Sequence, residues 1–322
     1  MGGGSSIHRS FGSKSNAEFV SSLRSNLDEQ SSHEHTNGES NGNGNGATPP
    51  AKSHYKTWTK LSTDGKELQI PSLGLASSGL EEEREQYDIT LKLFYLPGGS
   101  TDSASRTTQT REAIDLVLKE LGVSSVDLLI VSFPGIYFDE QEDCPSKIST
   151  RGPVESEPEG IDNSLESWKA VEALKEEGLV NKLGVAEFGA ERLAMFFEGT
   201  TRRPMVDQIN LRDCCSVPRD LLVLAKSKGV ELLVHNDCSN ILPRGTLREL
   251  LGPDGSGVLA PSSKLGDKRK SLHGEGQTNG VNDQAPLQGE VQPQWVVKYT
   301  AVVKNRGIVE NKGYFACAEL EN

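Results

Sequence analysis

The clearest pattern of apolar and polar positions lies in residues 163–188, where helical spacing gives way to a strand. Four apolar side chains recur every three residues, a spacing typical of a helix: Leu165, Trp168, Val171 and Leu174. Asn163 and Glu166 predict an N-cap with a capping box, and Gly178 is typical of a helix end. A short strand is predicted at 182–188, so the segment forms one α/β unit.

The same alternation of an apolar strand with an amphipathic helix recurs along the chain. Strands are predicted at 88–97, 126–134, 205–211 and 230–237, and helices at 107–121, 190–197 and 218–227. A closing helix is predicted at 295–304, followed by a turn and strand at 306–314. Strands that alternate with helices in this way favour a parallel sheet covered by helices.

Three segments stand apart from this pattern. Residues 1–52 are rich in Gly, Ser and Asn and are predicted to be largely disordered, with an amphipathic helix at 16–27 as a candidate docking helix. Residues 135–161 are predicted to be an acidic loop insertion, and residues 261–292 a low-complexity insertion. The remaining chain, within 53–322, is assigned to one α/β domain.

The α/β unit also carries a family resemblance. The run W-K-A-V-E-A-L-K-E-E-G-L-V followed by L-G-V-A-E-F resembles the aldo-keto reductase pattern W-x-x-M-E-x-L-x-x-x-G-x-x-[RK]-x-[IL]-G-V-S-N-F. That resemblance implies a (β/α)8 barrel, irregular at its N-terminal strands, and a nicotinamide cofactor whose carboxamide is bound by the Ser-Asn pair. Ala186 and Glu187 occupy those two positions here. They lack the hydroxyl and the amide donor, and Glu187 adds a negative charge.

Carbonyl reduction in that family requires a tyrosine that protonates the developing alkoxide, tuned by a lysine and an aspartate, and a histidine that orients the carbonyl. The resemblance places Lys92 at the lysine position and Ser132 at the histidine position. The family's tyrosine lies five residues after its aspartate, and none of the six tyrosines here has an aspartate at that spacing. Lys92 and Ser132 are therefore predicted to be vestigial, and no catalytic residue is assigned.

Part of a cofactor site is nevertheless predicted. Gln208, in M-V-D-Q-I-N-L, matches the family residue that contacts nicotinamide. In active members a basic residue near the C-terminus takes the 2′-phosphate of the cofactor, so Arg306 and Lys312 are the candidates for that role. No cofactor is assigned, although residual NADP binding without turnover stays open.

A second resemblance is more specific. The runs Q-I-N-L-x-x-C-C-x-x-P-x-D-L and L-L-x-H-N-D, together with residues 295–314, resemble the family of regulatory (modifier) subunits of glutamate-cysteine ligase. This resemblance implies a non-catalytic protein that binds the catalytic subunit, improves its use of glutamate and relieves feedback inhibition by glutathione. The alternative is a divergent NADPH-dependent reductase of a small carbonyl compound, which would need a tyrosine from elsewhere in the chain.

The polar residues that follow the predicted strands are the candidates for partner binding, together with two basic residues of the tail: Cys214, Cys215, His235, Asn236, Asp237, Arg306 and Lys312. Three interpretations of the adjacent cysteines stay open, namely buried small residues, a redox-sensitive contact with the catalytic subunit, and metal binding. Metal is the least favoured, because no CxxC or histidine-rich spacing accompanies them. His235 beside Asp237 is interpreted either as a general base or as part of a hydrogen-bonded loop.

Charge and composition limit the classes of partner that this protein is expected to bind. The net charge of −12 and the pI of about 5.1 argue against nucleic acid or an anionic membrane as the main partner. There is no run of 18 apolar residues, and the five cysteines are predicted to be reduced thiols of a cytoplasmic protein. The start M-G-G-G-S-S matches the myristoylation pattern at Gly2, although a glycine-rich start matches it easily.

Overall fold

The computed structural model describes residues 14–32, 54–72, 79–138, 156–211, 216–235, 237, 241–261 and 285–321. The predictions for Gly2, Cys214, Cys215 and Asn236, and for most of the N-terminal segment and the two insertions, lie outside these residues. The chain forms two compact units. One contains Met1–Phe19, Leu75–Arg244 and Gln292–Glu319, and the other contains Val20–Gly74, Gly245–Val291 and Leu320–Asn322.

The first unit is built on a seven-stranded sheet. Its strands are β3 (Tyr87–Tyr95), β4 (Val126–Ser132), β5 (Val180–Ala186), β6 (Val206–Ile209), β7 (Glu231–Val234), β8 (Glu290–Val303) and β9 (Ile308–Glu321). Its helices are α2 (Ser103–Leu121), α3 (Ile161–Glu176), α4 (Ala190–Gly199) and α5 (Arg219–Lys228). The remaining elements are α1 (Lys14–Ser32), β1 (Lys60–Leu61), β2 (Leu68–Gln69) and α6 (Thr246–Leu251).

Strands β3 to β7 are parallel and follow one another in the sheet, and a helix lies between each of them and the next. This is the repeating unit of a (β/α)8 barrel, as the sequence predicted. Within the described residues the sheet ends at β7 on one side and at β9 on the other, so the ring is not closed there. The core lies between the sheet and its helices, with Leu93, Val131 and Trp168 almost fully buried.

The predicted closing helix at 295–304 is wrong. Residues 295–303 belong to β8, which pairs antiparallel with β3 from Tyr87 opposite Val303 to Tyr95 opposite Trp295. The segment is rich in valine, threonine and aromatic residues, which favour a strand once a partner strand is present. β8 also begins at Glu290, inside the segment assigned to the low-complexity insertion.

The predicted start of α3 is also wrong. The helix begins at Ile161 with Gly160 as its N-cap, so Asn163 lies inside the first turn and makes no cap. Glu159, just before the helix, is 7% exposed and ion-paired with Arg106, and this contact fixes the chain where the helix starts. The predicted end is right, since Gly178 follows the helix with a φ of +78°.

Helix α1 confirms the helix predicted at 16–27 and extends it at both ends. Phe19 is buried in the first unit, where its ring lies 4.8 Å from that of Tyr314. Leu27 is buried in the second unit, in a cluster with Tyr55, Trp58 and residues of and after α6. The apolar side chains of this helix therefore pack against other residues of the same chain. None of the helices in the described ranges is long and apolar enough to cross a membrane.

Candidate functional site at the strand ends

A cluster of charged and polar side chains lies toward the carboxyl ends of the parallel strands, where barrel proteins place their sites. Lys92 projects from β3, Glu187 follows β5, and His235 and Asp237 follow β7. Lys298 on β8 pairs in register with Lys92. We call these five residues the strand-end network.

The network is connected through His235. The Lys92 Nζ atom lies 3.3 Å from His235 Nδ1 and 3.6 Å from Asp237 Oδ2. His235 Nε2 makes a short hydrogen bond with the carboxylate of Glu187. Lys298 Nζ donates to Asp237 Oδ1 at 2.7 Å. Residues that are far apart in the sequence are thereby linked across four strands.

The contacts fix the form of the His235 ring. Its Nδ1 accepts a hydrogen bond from the backbone N–H of Asp237 at 3.1 Å and lies within reach of the Lys92 ammonium. Both of these partners are donors, so Nδ1 carries no proton and Nε2 carries the ring proton toward Glu187. The His235 ring therefore links a lysine to a carboxylate.

Burial and neighbouring charges shift the pKa values of two residues of the strand-end network. Burial lowers the pKa of Lys92, because it penalises the ammonium, and the nearby carboxylates of Asp237 and Glu187 oppose that effect without cancelling it. Burial alone would raise the pKa of Asp237, but the charges of Lys92 and Lys298 outweigh it and hold the pKa below its usual value. Two ammonium groups and two carboxylates thus balance one another in a site largely shielded from solvent.

Glu187 is held in an unusual backbone conformation. Its φ is +66°, the one positive value at a non-glycine residue among the described residues. The side chain is 5% exposed. Besides its bond to His235, the carboxylate accepts a hydrogen bond from the Phe138 N–H at 2.8 Å. Both carboxylate oxygens are therefore used by the protein itself.

The other predicted site residues lie in different surroundings. Ser132 is 3% exposed at the end of β4, next to Phe94 of β3 in the strand register. Gln208 is half-buried on β6, and its Oε1 atom is buried without a hydrogen-bond partner in the described part of the chain. Arg306 is ion-paired with Glu82, and Lys312 with Glu18 at 2.6 Å, both at the surface.

The hydroxyls of Tyr95 and Tyr87 bond to residues outside the strand-end network. The Tyr95 hydroxyl bonds to Thr110 beneath the sheet, and the Arg106 guanidinium lies 3.8 Å from its ring. The Tyr87 hydroxyl donates to Glu310 at 2.6 Å. Lys92, the lysine that the family resemblance marks, meets an imidazole, a carboxylate and, at 5.1 Å, the ring of Phe94.

Sequence reasoning missed a second buried ion pair. The Arg106 guanidinium, 1% exposed on α2, donates to Glu159 Oε2 at 2.8 Å, and the Glu159 side chain is 4% exposed. Arg106 also donates to the Ser100 carbonyl at 2.6 Å, and Ser164 donates to the other oxygen of Glu159 at 3.2 Å. This pair joins α2 to the start of α3 and is structural.

Comparison with known proteins places the chain among proteins of related fold. A model of the aldo/keto reductase family matches residues 64–248, more than half of the chain. The human glutamate–cysteine ligase regulatory subunit is 26% identical over 242 residues, which are 74% of this chain and 68% of that protein. The putative regulatory subunit of Schizosaccharomyces pombe is 25% identical over 237 residues, or 73% of this chain and 72% of that protein.

Reductases also match, over shorter stretches. The aldo-keto reductase AKR2E4 of Bombyx mori is 25% identical over 162 residues, which are 50% of this chain and 45% of that protein. The solved aldose reductase of Giardia lamblia matches with a TM-score of 0.31 at 23% identity. That match spans 46% of this chain and 44% of the solved one. The family-model match over residues 64–248 confirms the first resemblance and the fold class, and the matches to regulatory subunits confirm the second resemblance.

The nicotinamide nucleotide that the family implies does not fit the residues present. Glu187 presents a carboxylate that is already bonded to His235 and Phe138, and Ala186 offers no hydroxyl. Arg306 and Lys312 each lie at the surface in an ion pair with an acidic side chain. Within the described ranges there is also no group of three histidine, cysteine, aspartate or glutamate residues arranged to hold a metal ion.

Proposed function

Because the chain belongs to the aldo/keto reductase family, we propose that it is a non-catalytic member that serves as a regulatory subunit of glutamate–cysteine ligase. The observation that carries this proposal is the similarity to regulatory subunits of mammals and fission yeast, which spans about three quarters of the chain. Its partner would be the catalytic subunit of that ligase. A protein with this role in glutathione synthesis would be cytoplasmic.

The strand-end network supports a non-catalytic role. Reduction of a carbonyl needs a proton donor beside the developing alkoxide. The Lys92 ammonium, which would tune a phenol in a reductase, is instead committed to His235 and Asp237. This group of two lysines, two carboxylates and an imidazole links the ends of four strands, and among its five members the Lys92 side chain bonds to no phenol.

A regulatory subunit acts by binding one state of its partner more tightly than another. The expected effects are a higher affinity of the ligase for glutamate and weaker inhibition by glutathione. Of the proposed contact residues, His235 is 8% exposed, and Asp237 is engaged with Lys298. The start of β9 is more accessible, because Ile308 and Val309 are 57% and 47% exposed on a strand at the edge of the sheet.

The test is to purify the catalytic subunit with and without this full-length chain and to measure ligase rates against glutamate, at several glutathione concentrations. We expect co-purification, a lower KM for glutamate and a higher glutathione concentration at half inhibition. Unchanged kinetics in a mixture that contains both chains would rule out the regulatory role.

Two matched variants locate the contact. Ile308→Asp places a charge at the exposed start of β9 and should weaken the association about tenfold or more. Val223→Asp makes the same kind of change on α5, where Val223 is 61% exposed, and should leave association unchanged. If Val223→Asp is the damaging variant, the contact lies on α5 and not on β9.

The similarity to reductases favours one alternative function, the NADPH-dependent reduction of a small carbonyl compound. It predicts oxidation of NADPH in the presence of aldehydes, followed by its absorbance. Turnover that is abolished by Lys92→Met would favour this alternative over the non-catalytic role.

A further inference from the structure

Glu187 occupies a backbone conformation that costs free energy for a side chain of its size. Positive φ angles are uncommon outside glycine, and asparagine is the residue that tolerates them best among those with polar side chains. Such a conformation persists where the surrounding contacts enforce it, and these sites are often functional. The contacts of Glu187 therefore indicate what this residue does.

Those contacts fill one corner of the site, which lies at the carboxyl ends of β5 and β6. The backbone N–H of Glu187 donates to the Gln208 carbonyl at 3.0 Å, which fixes the residue against β6. Its carboxylate then accepts from the Phe138 N–H and from His235 Nε2. Loss of this carboxylate without another acceptor in its place would leave two buried donors, the Phe138 N–H and the His235 ring N–H, without partners.

Gln208, whose carbonyl accepts from the Glu187 N–H, also carries a side-chain acceptor that the described residues do not satisfy. Ala186 of β5 pairs in register with Gln208, whose buried Oε1 atom has no hydrogen-bond partner there. A primary amide offers one donor and one acceptor. At the position that the family resemblance gives to the carboxamide, Gln208 offers an acceptor for its N–H, whereas its carbonyl oxygen needs a donor and Glu187 offers another acceptor.

We propose that Glu187 excludes the carboxamide of a nicotinamide nucleotide from this corner, and that asparagine at position 187 admits it. The exclusion arises because two acceptors would oppose each other and because the carboxylate already fills the position. Asparagine would supply an N–H donor, remove the charge and suit the positive φ. This inference rests on the proposed non-catalytic function and identifies the residue that separates this chain from a cofactor-binding relative.

The test compares NADPH binding by the full-length chain, by Glu187→Asn and by Glu191→Asn. The last variant is the matched control, because Glu191 is an exposed glutamate on α4 four residues away. Binding is followed by the fluorescence of NADPH and by the shift in melting temperature. 2′-Phospho-ADP-ribose, which lacks the nicotinamide ring, is titrated in parallel.

We expect Glu187→Asn to bind NADPH at least about tenfold more tightly than the unaltered chain, and Glu191→Asn to match the unaltered chain. The gain should be absent with 2′-phospho-ADP-ribose. Equal affinities of the unaltered chain and a folded Glu187→Asn variant, whether both bind or neither does, would overturn the proposal. So would an equal gain with 2′-phospho-ADP-ribose.

Should Glu187→Asn fail to fold by circular dichroism, Glu187→Gln takes its place. It removes the charge and supplies an amide donor but fills the same space, so we expect a smaller gain in NADPH affinity than from asparagine, and unchanged affinity would overturn the proposal. Ligase kinetics are measured only with the unaltered chain. A failure of the regulatory function is therefore distinguishable from a failure of this inference.

Discussion

The buried pair of Arg106 and Glu159 provides a prediction whose size follows from the geometry. Glu159→Ala would leave the guanidinium, 1% exposed, without its carboxylate partner at 2.8 Å. Removing one partner of a buried ion pair costs about 3–5 kcal/mol, because the remaining charge stays buried and uncompensated. Arg106 would keep its bond to the Ser100 carbonyl and its place over the Tyr95 ring. We therefore expect the lower end, about 3 kcal/mol.

The matched control is the ion pair between Arg111 and Glu177, which joins exposed side chains at 38% and 46% exposure. Glu177→Ala should cost less than about 1 kcal/mol, because solvent screens both charges. A third variant replaces Arg106 and Glu159 together by methionine. It removes both buried charges and should recover much of the loss.

Urea unfolding, followed by circular dichroism at neutral pH, gives the free energy of unfolding of each variant. The slope against urea must stay the same for the comparison to hold. Equal losses in Glu159→Ala and Glu177→Ala would refute the reasoning, since burial would then not matter. A double methionine variant no more stable than Glu159→Ala would refute it as well.

Three further predictions concern titration and packing. The pKa of Tyr87 is raised to about 12 by burial and by Glu310, so its contribution to stability is complete below pH 10 and is lost between pH 10 and about 12. Tyr87→Phe should flatten that loss in urea titrations. The pKa of Asp237 is lowered by Lys92 despite burial, so its contribution is present above the unfolded pKa of about 4 and is lost as the pH falls through the folded value. Asp237→Asn should flatten the acid limb. Trp168→Ala should cost about 3–5 kcal/mol, because the ring is 1% exposed.

Each of these three changes has a measurement that would contradict it. An unchanged alkaline limb in Tyr87→Phe, or an unchanged acid limb in Asp237→Asn, would show that the group does not couple to folding. For Trp168→Ala the control is Met195→Ala on α4, where Met195 is 43% exposed and should matter little. A similar loss of stability in both variants would mean that burial of the indole is not the cause.

The candidate site was only partly predictable. The family resemblance marked Lys92, Glu187 and Gln208, and the strand-end pattern marked His235 and Asp237. The bonds among them join residues that are 143 and 48 positions apart, and a sequence carries no signal for such pairs. From the sequence alone, Glu187 indicates only the loss of an amide that binds the cofactor. In the folded chain its carboxylate binds the His235 ring. The ion pair between Lys298 and Asp237 also joins residues that are far apart in the sequence, at 61 positions, so the sequence did not predict it.

Local sequence determined the α/β units from β3 to α5 and the helix α1, because the period of apolar residues and a glycine such as Gly178 act within one turn or one strand. Tertiary structure decided the outcome where local preferences were weak. Residues 295–303 became part of β8 because β3 offered a free edge, and α3 began at Ile161 because Arg106 bound Glu159. Pairing of edges and burial of charges depend on distant partners, so only the folded chain contains that information.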